Sequence, residues 1–336
     1  MIKPFGKTKV IDSNLKTTTM NLLKPLPFLF AIITLSCSSD DGTLTSDDLD
    51  IENNVEDIDC SNISSVFSIN LNPEGCAVDI QTQLGTVSQY SETILGDIRT
   101  ISINGVANHL VGEFPNGGNP NTISEGSETY TMTTDPQLAT NITSGQGHTF
   151  GVLFSGVAVD PYTAEFFVGS TGTMNMEWNI TALQSTTALG LDCNNAHVQP
   201  TGRYHYHGTP SNYLDGLSAN GTEMVKVGYA GDGFPIYYKY GYADDGSTIT
   251  AMESGYQLKT EARGGDGISA PNGCPDGYYF QDYEYVEGIS ELDECNGRFG
   301  KTPESDNEYY YVITDNFPSS PLCFSGTPNQ SFRIGG

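Results

Sequence analysis

The sequence predicts a mainly β protein, an antiparallel sandwich-like or barrel-like domain with long loops and few short helices. Apolar residues almost never recur at helical spacing, and short runs rich in β-branched and aromatic residues are broken throughout by Gly, Asn, Asp and Pro. With 38 glycines, 17 prolines and 19 tyrosines in 336 residues, the composition is that of many short strands joined by turns.

Taken in order, residues 66–71 set Phe67, Ile69 and Leu71 against Ser68 and Asn70, the alternation of a half-buried strand. Residues 130–133 alternate Tyr130 and Met132 with threonines, and 149–159 form a longer β-rich run. Further strands are expected at 164–168, 174–180, 204–207, 235–240, 278–285 and 309–313, each dominated by aromatic or β-branched side chains. Residues 181–189 are the best candidate for a short helix.

The N-terminal region reads as an export signal. Lys24 supplies a positive start, residues 28–35 are a short apolar run, and Thr34-Leu35-Ser36-Cys37 resembles a bacterial lipobox. Residues 1–36 are therefore expected to be a signal segment starting in effect at Met20, with Cys37 the lipidated residue. The apolar run is too short to span a bilayer. Residues 37–59 follow as an acidic tether, and between 40 and 59 there are nine acids and no base. Residues 60–336 are expected to form the β domain. Removing residues 1–36 deletes five lysines and one aspartate, taking the net charge from −27 to −31. Such a surface repels nucleic acid and anionic lipid, so no nucleic-acid partner is expected, and the membrane is reached only through the lipid on Cys37. Six further cysteines, Cys60, Cys76, Cys193, Cys274, Cys295 and Cys323, suit three disulfides in an exported protein, with 15 pairings open.

The chemistry-bearing feature is Gly202-Arg203-Tyr204-His205-Tyr206-His207-Gly208, which holds two of only five histidines. In an extended strand, side chains at i and i+2 share a face, so both imidazoles project together while Tyr204 and Tyr206 line the other side. His197 can return to the same place across Gln199-Pro200-Thr201-Gly202, completing an open three-histidine site for zinc or copper. His109 is the distant fourth candidate ligand and His148 a weaker one. Asp232, on the Gly-flanked turn Gly231-Asp232-Gly233, is the candidate general base, and the competing role for it is closing its own turn. Asp192 and Glu165 carry the same ambiguity. Calcium is a separate candidate at Asp244-Asp245-Gly246 and at Asp276, Asp282, Glu284 and Glu287, which match no EF-hand spacing. A weak internal repetition sets Leu191-Asp192-Cys193-Asn194 before the Tyr-His strand and Leu292-Asp293-Glu294-Cys295-Asn296 before Tyr309-Tyr310-Tyr311.

These blocks carry a family resemblance. Residues 196–208 and 228–237, with the outlying Asn108-His109-Leu110-Val111-Gly112, Gly156-Val157-Ala158-Val159-Asp160-Pro161 and Cys323-Phe324-Ser325-Gly326, resemble the YHYH domain family from about Gly105 to the C-terminus. The resemblance implies an exported or cell-surface protein and names no reaction. Some members carry histidine where this chain has Tyr309-Tyr310-Tyr311.

Two functions compete. One is a metal-dependent hydrolase or oxidase at the cell surface, with His197, His205 and His207 on the ion. The other is a non-catalytic extracellular module that binds a glycan, a metal ion or a protein, to which the run Tyr229, Tyr237, Tyr238, Tyr240 and Tyr242 would contribute. There is no nucleophile elbow, phosphate-binding loop, dinucleotide fingerprint or His-Glu-x-x-His helix.

Overall fold

The computed structural model describes residues 58–185 and 189–334. The expected signal segment, Cys37 and nearly all of the acidic tether lie outside the described residues. The fold is mainly β, with antiparallel and mixed sheets, the largest of them curled into a half-barrel.

Among the described residues this sheet has eight strands: β1 (Gly151–Leu153), β2 (Ala158–Val159), β3 (Ala196–Val198), β4 (Tyr204–Tyr206), β5 (Val225–Ala230), β6 (Pro235–Tyr238), β7 (Gly297–Gly300) and β8 (Glu308–Ile313). Their spatial order is β7-β8-β6-β5-β1-β2-β4-β3. Neighbours run antiparallel except for β2 with β4 and β6 with β8, which are parallel.

This order reads the same from either edge. A hairpin, β1-β2 or β5-β6, pairs in parallel with a later strand, β4 or β8, whose antiparallel partner, β3 or β7, forms the edge. The two units meet at β1 and β5, where Leu153 faces Gly228, Val152 faces Tyr229 and Gly151 faces Ala230. Exchanging Leu153 with Ala230 and Gly151 with Gly228 restores the same pairing, so a local twofold relates the units.

The loops obey it too. Asp192 N donates to Ala196 O at 2.9 Å, and Asp293 N donates to Gly297 O at 2.8 Å. Asn195 and Asn296 both adopt positive φ, 51° and 53°. Tyr204 OH donates to Asp192 and Tyr309 OH to Asp293, both at 2.7 Å. The weak repetition in the sequence thus marks a four-strand unit used twice. It stays faint because few positions beyond the turn-closing Asp and Asn and the buried tyrosines share one identity.

The aromatic core lies on the face carrying Tyr204, Tyr206, Tyr309 and Tyr311, with Phe150, Phe324 and Ile236. A three-stranded sheet of Tyr90–Leu95, Ile98–Ile103 and Glu128–Thr133 packs Ile101, Tyr130 and Met132 against Val152 and Phe332. Its first hairpin turns at Gly96-Asp97, a two-residue loop that signals a hairpin in sequence. Disulfides join Cys60 to Cys274, Cys76 to Cys193 and Cys295 to Cys323, the chemistry of a chain that folds in an oxidising, exported compartment. No helix among the described residues is long and apolar enough to cross a membrane.

Three local expectations are corrected. Residues 66–71 form no strand beyond a single bridge from Phe67 to Gln184, because their amides reach loops and side chains: Ser68 N bonds Leu183 O and Asn70 N bonds Asn195 Oδ1. Residues 278–285 form a strand only at Tyr283–Tyr285, with a single bridge from Tyr279 to Ile180. The Asp282 carboxylate accepts from the amides of Gly277 and Tyr279 and winds Phe280–Asp282 into a 3-10 turn. In the expected helix at 181–189, the described residues are not helical, and the Thr181 hydroxyl instead bonds Gly277 O.

Candidate metal centre

The site follows from strand register. In an antiparallel pair, directly opposed residues hold their Cβ atoms about 4.5–5.5 Å apart on one face. His197 on β3 faces His205 on β4, and His207 lies two residues further along the same face. The turn that brings β3 back is closed by Gly202 N to Gln199 O at 2.8 Å, with Gly202 at φ 87°. The three rings consequently cluster with centroids 4.7–4.8 Å apart.

His205 and His207 are buried and His197 is half-buried. The His197 Nδ1 meets Leu189 O at 3.0 Å, which places the proton there and leaves Nε2 as a lone-pair donor. That Nε2 lies 3.1 Å from the Nε2 of His207. Two imidazoles on a tetrahedral zinc ion, with Zn–N of about 2.0–2.1 Å, hold their nitrogens about 3.3 Å apart. One potential ligand atom from each of the three rings falls within 4.8 Å of the others, so small ring rotations would bring all three onto one ion. Burial, reinforced by the neighbouring imidazoles, holds His205 and His207 well below the usual histidine range. They are therefore neutral at physiological pH, the form that binds metal.

Beside the cluster, Arg203 donates to Asp160, which is 2% exposed, and to Glu128 at 2.8 Å. Its remaining nitrogen reaches Thr149 at 3.1 Å. This ion pair fixes the strand that carries His205 and His207. In front of it lies a cavity of about 660 Å³, lined by the three histidines together with Tyr162, Glu165, Met176 and His148. The unit related by the local twofold supplies a contrast. Arg298, Tyr310 and Val312 occupy the positions of His197, His205 and His207, and Met252, Leu292 and Tyr237 pack against Tyr310 and Val312. One copy of the frame is filled with core side chains, and the other turns three imidazoles toward open space.

The family model described as YHYH protein matches residues 129–326, more than half of the chain. The chain belongs to the YHYH protein family. The matched segment contains the three clustered histidines and begins after His109, so it is narrower than the resemblance read from about Gly105. No curated protein and no solved structure matches the chain.

Within the YHYH domain the structure brings together His197, His205 and His207, and places the remaining candidates elsewhere. His109 lies on the tyrosine face, its Nε2 2.5 Å from Tyr206 OH and its Nδ1 2.8 Å from Leu110 O. Burial lowers its pKa to about 4. His148 lines the same cavity as the cluster, with its ring edge-on to Phe324. Asp192 caps the β3 loop and accepts from Tyr204.

Asp232 belongs to the second unit. Its carboxylate accepts from Tyr311 OH at 2.5 Å and from Gly326 N at 2.9 Å, and it takes the place that Ser155 holds beneath Tyr206. Burial raises its pKa to about 6. A carboxyl with a raised folded-state pKa stabilises the fold fully below the unfolded value of 3.8, and that stabilisation is lost as pH rises through about 6. Relative to Asp232→Asn, the wild type is expected to lose about 2 kcal/mol of stability between about pH 4 and about pH 7, measured by urea unfolding. A difference independent of pH would contradict this.

The acidic loops assemble no comparable centre among the described residues. Arg263 takes both Asp276 and Asp282 at 2.6 Å, and Asp245 closes its own turn on Ser247 and Thr248. Tyr237 and Tyr238 are buried in the sheet and offer no ring to a glycan.

Sequence reading missed the Arg203–Asp160 pair and the cavity in which the candidate Glu165 stands. The signal for the first was present, an arginine inside a family-defining strand of a chain poor in bases.

Proposed function

We propose that this protein is exported and anchored by a lipid on Cys37, with residues 37–59 as tether and the domain beyond it binding one zinc or copper ion through His197, His205 and His207. The observation that carries the reading is the contrast between the two units: the same frame is plugged by core side chains in one and keeps three imidazoles beside a cavity in the other. A three-histidine set leaves a coordination position open, as catalytic sites do.

Bound there, zinc supplies Lewis acidity for hydrolysis and copper supplies redox chemistry. The chain provides the rest. Asp160 is committed to Arg203, whereas the Glu165 carboxylate makes no hydrogen bond or ion pair among the described residues. Proton transfer in the cavity therefore falls to Glu165 rather than to Asp232. Tyr162 and Met176 form apolar wall, which suits a neutral organic substrate better than a phosphate.

The test is metal content. Protein purified without chelator or affinity tag and then offered zinc or copper should retain about one equivalent per chain. Retention of less than about a tenth of an equivalent overturns the reading.

A further inference from the structure

Met174 and Met176 stand two residues apart on the strand Met174–Asn179, whose pairing with Phe166–Val168 is interrupted between Asn175 and Asn179. They are 53% and 65% exposed, whereas the other described methionines, Met132, Met224 and Met252, are at most 5% exposed. Both line a groove of about 590 Å³, and Met176 also lines the histidine cavity, so one thioether is wall to both. Each methionine has three rotatable bonds, which lets two sulfurs that line one groove converge on a single ion.

Thioethers are soft ligands that select Cu(I) over zinc, calcium or magnesium. The surroundings favour a cation: among the described residues no lysine or arginine lines the groove or the cavity, Glu177 borders the one and Glu165 the other, and the chain carries a net charge of −27. We propose that Met174 and Met176 form a Cu(I) site at the edge of the histidine cavity, from which the ion passes to His197, His205 and His207. The transfer is a ligand exchange, and copper stays Cu(I) throughout. Capture by the thioethers stands on its own, and delivery rests on the metal-site reading above.

The test uses the full chain and the variant Met174→Leu/Met176→Leu. These side chains are exposed and leucine keeps their volume, so the fold is preserved, as circular dichroism will verify. Zinc uptake is measured first and reports on the histidines alone. Cu(I) is then supplied without oxygen from a coloured chelator complex, and X-ray absorption reads its ligands. Wild-type protein should show sulfur bound to copper. The double variant should show none, should draw Cu(I) from the chelator at least about tenfold more slowly, and should take up zinc as before. Absence of sulfur ligation in the wild type, or equal copper behaviour in the two proteins, overturns the thioether site. If zinc uptake is intact in that outcome, the histidine centre stands. If zinc uptake fails while sulfur-bound copper is found, the histidine centre falls and the thioether site remains.

Discussion

Replacing His197 and His207 together by alanine is expected to abolish stoichiometric metal binding while the domain stays folded. The two Nε2 atoms face each other at 3.1 Å and together supply two of the three donors. Losing a group that merely orients a ligand costs about 10–100-fold in affinity, so losing two ligands should weaken binding by well over about 100-fold. The readout is stability as well as stoichiometry. At a free metal concentration of about 100 Kd, wild-type protein gains about 2.7 kcal/mol from bound metal, and the variant should gain nothing. Both imidazoles border an open cavity, so water can replace them without stranding a buried charge. Equal metal stabilisation of the two proteins would show that the ion sits elsewhere.

Arg203→Met should be the most damaging single change near the site. The guanidinium is the partner of Asp160, whose side chain is 3% exposed, and it also holds Glu128. Removing one member of a buried pair leaves an uncompensated charge and costs about 3–5 kcal/mol. Lysine should rescue little, because one ammonium cannot reproduce a fork that serves Asp160, Glu128 and Thr149 at once. Adding Asp160→Asn to Arg203→Met should recover part of the loss, since it removes the stranded carboxylate. Unfolding in urea measures all three. A loss below about 1 kcal/mol for Arg203→Met would show the pair to be no more than a surface bridge.

The histidine cluster was legible in sequence because it depends on local rules. Strand alternation puts His205 and His207 on one face, and the Gln199 to Gly202 turn returns His197 opposite His205. His109 and Asp232 were drawn toward the same site because no local rule says which face of the sheet a distant segment meets. Both reach the tyrosine face, where Tyr206 and Tyr311 take them as hydrogen-bond partners. The β class was legible for similar reasons, and the errors at 66–71 and 278–285 came from tertiary and local competitors respectively. Side chains and loops outbid a strand edge in the first, and the Asp282 carboxylate captured amides in the second. The cavity was invisible in sequence, because its wall is assembled from segments as far apart as Asn119 and Ile334.

The central claim is that three imidazoles on one sheet face hold a transition-metal ion. Anomalous diffraction from crystals grown with zinc or copper, collected on both sides of the metal edge, tests it most directly. One strong peak is expected within about 2.0–2.1 Å of nitrogens from His197, His205 and His207, with its open side toward the cavity. Metal-replete crystals with no peak there, the three rings bonded only to one another and to Leu189 and Arg203, would contradict it.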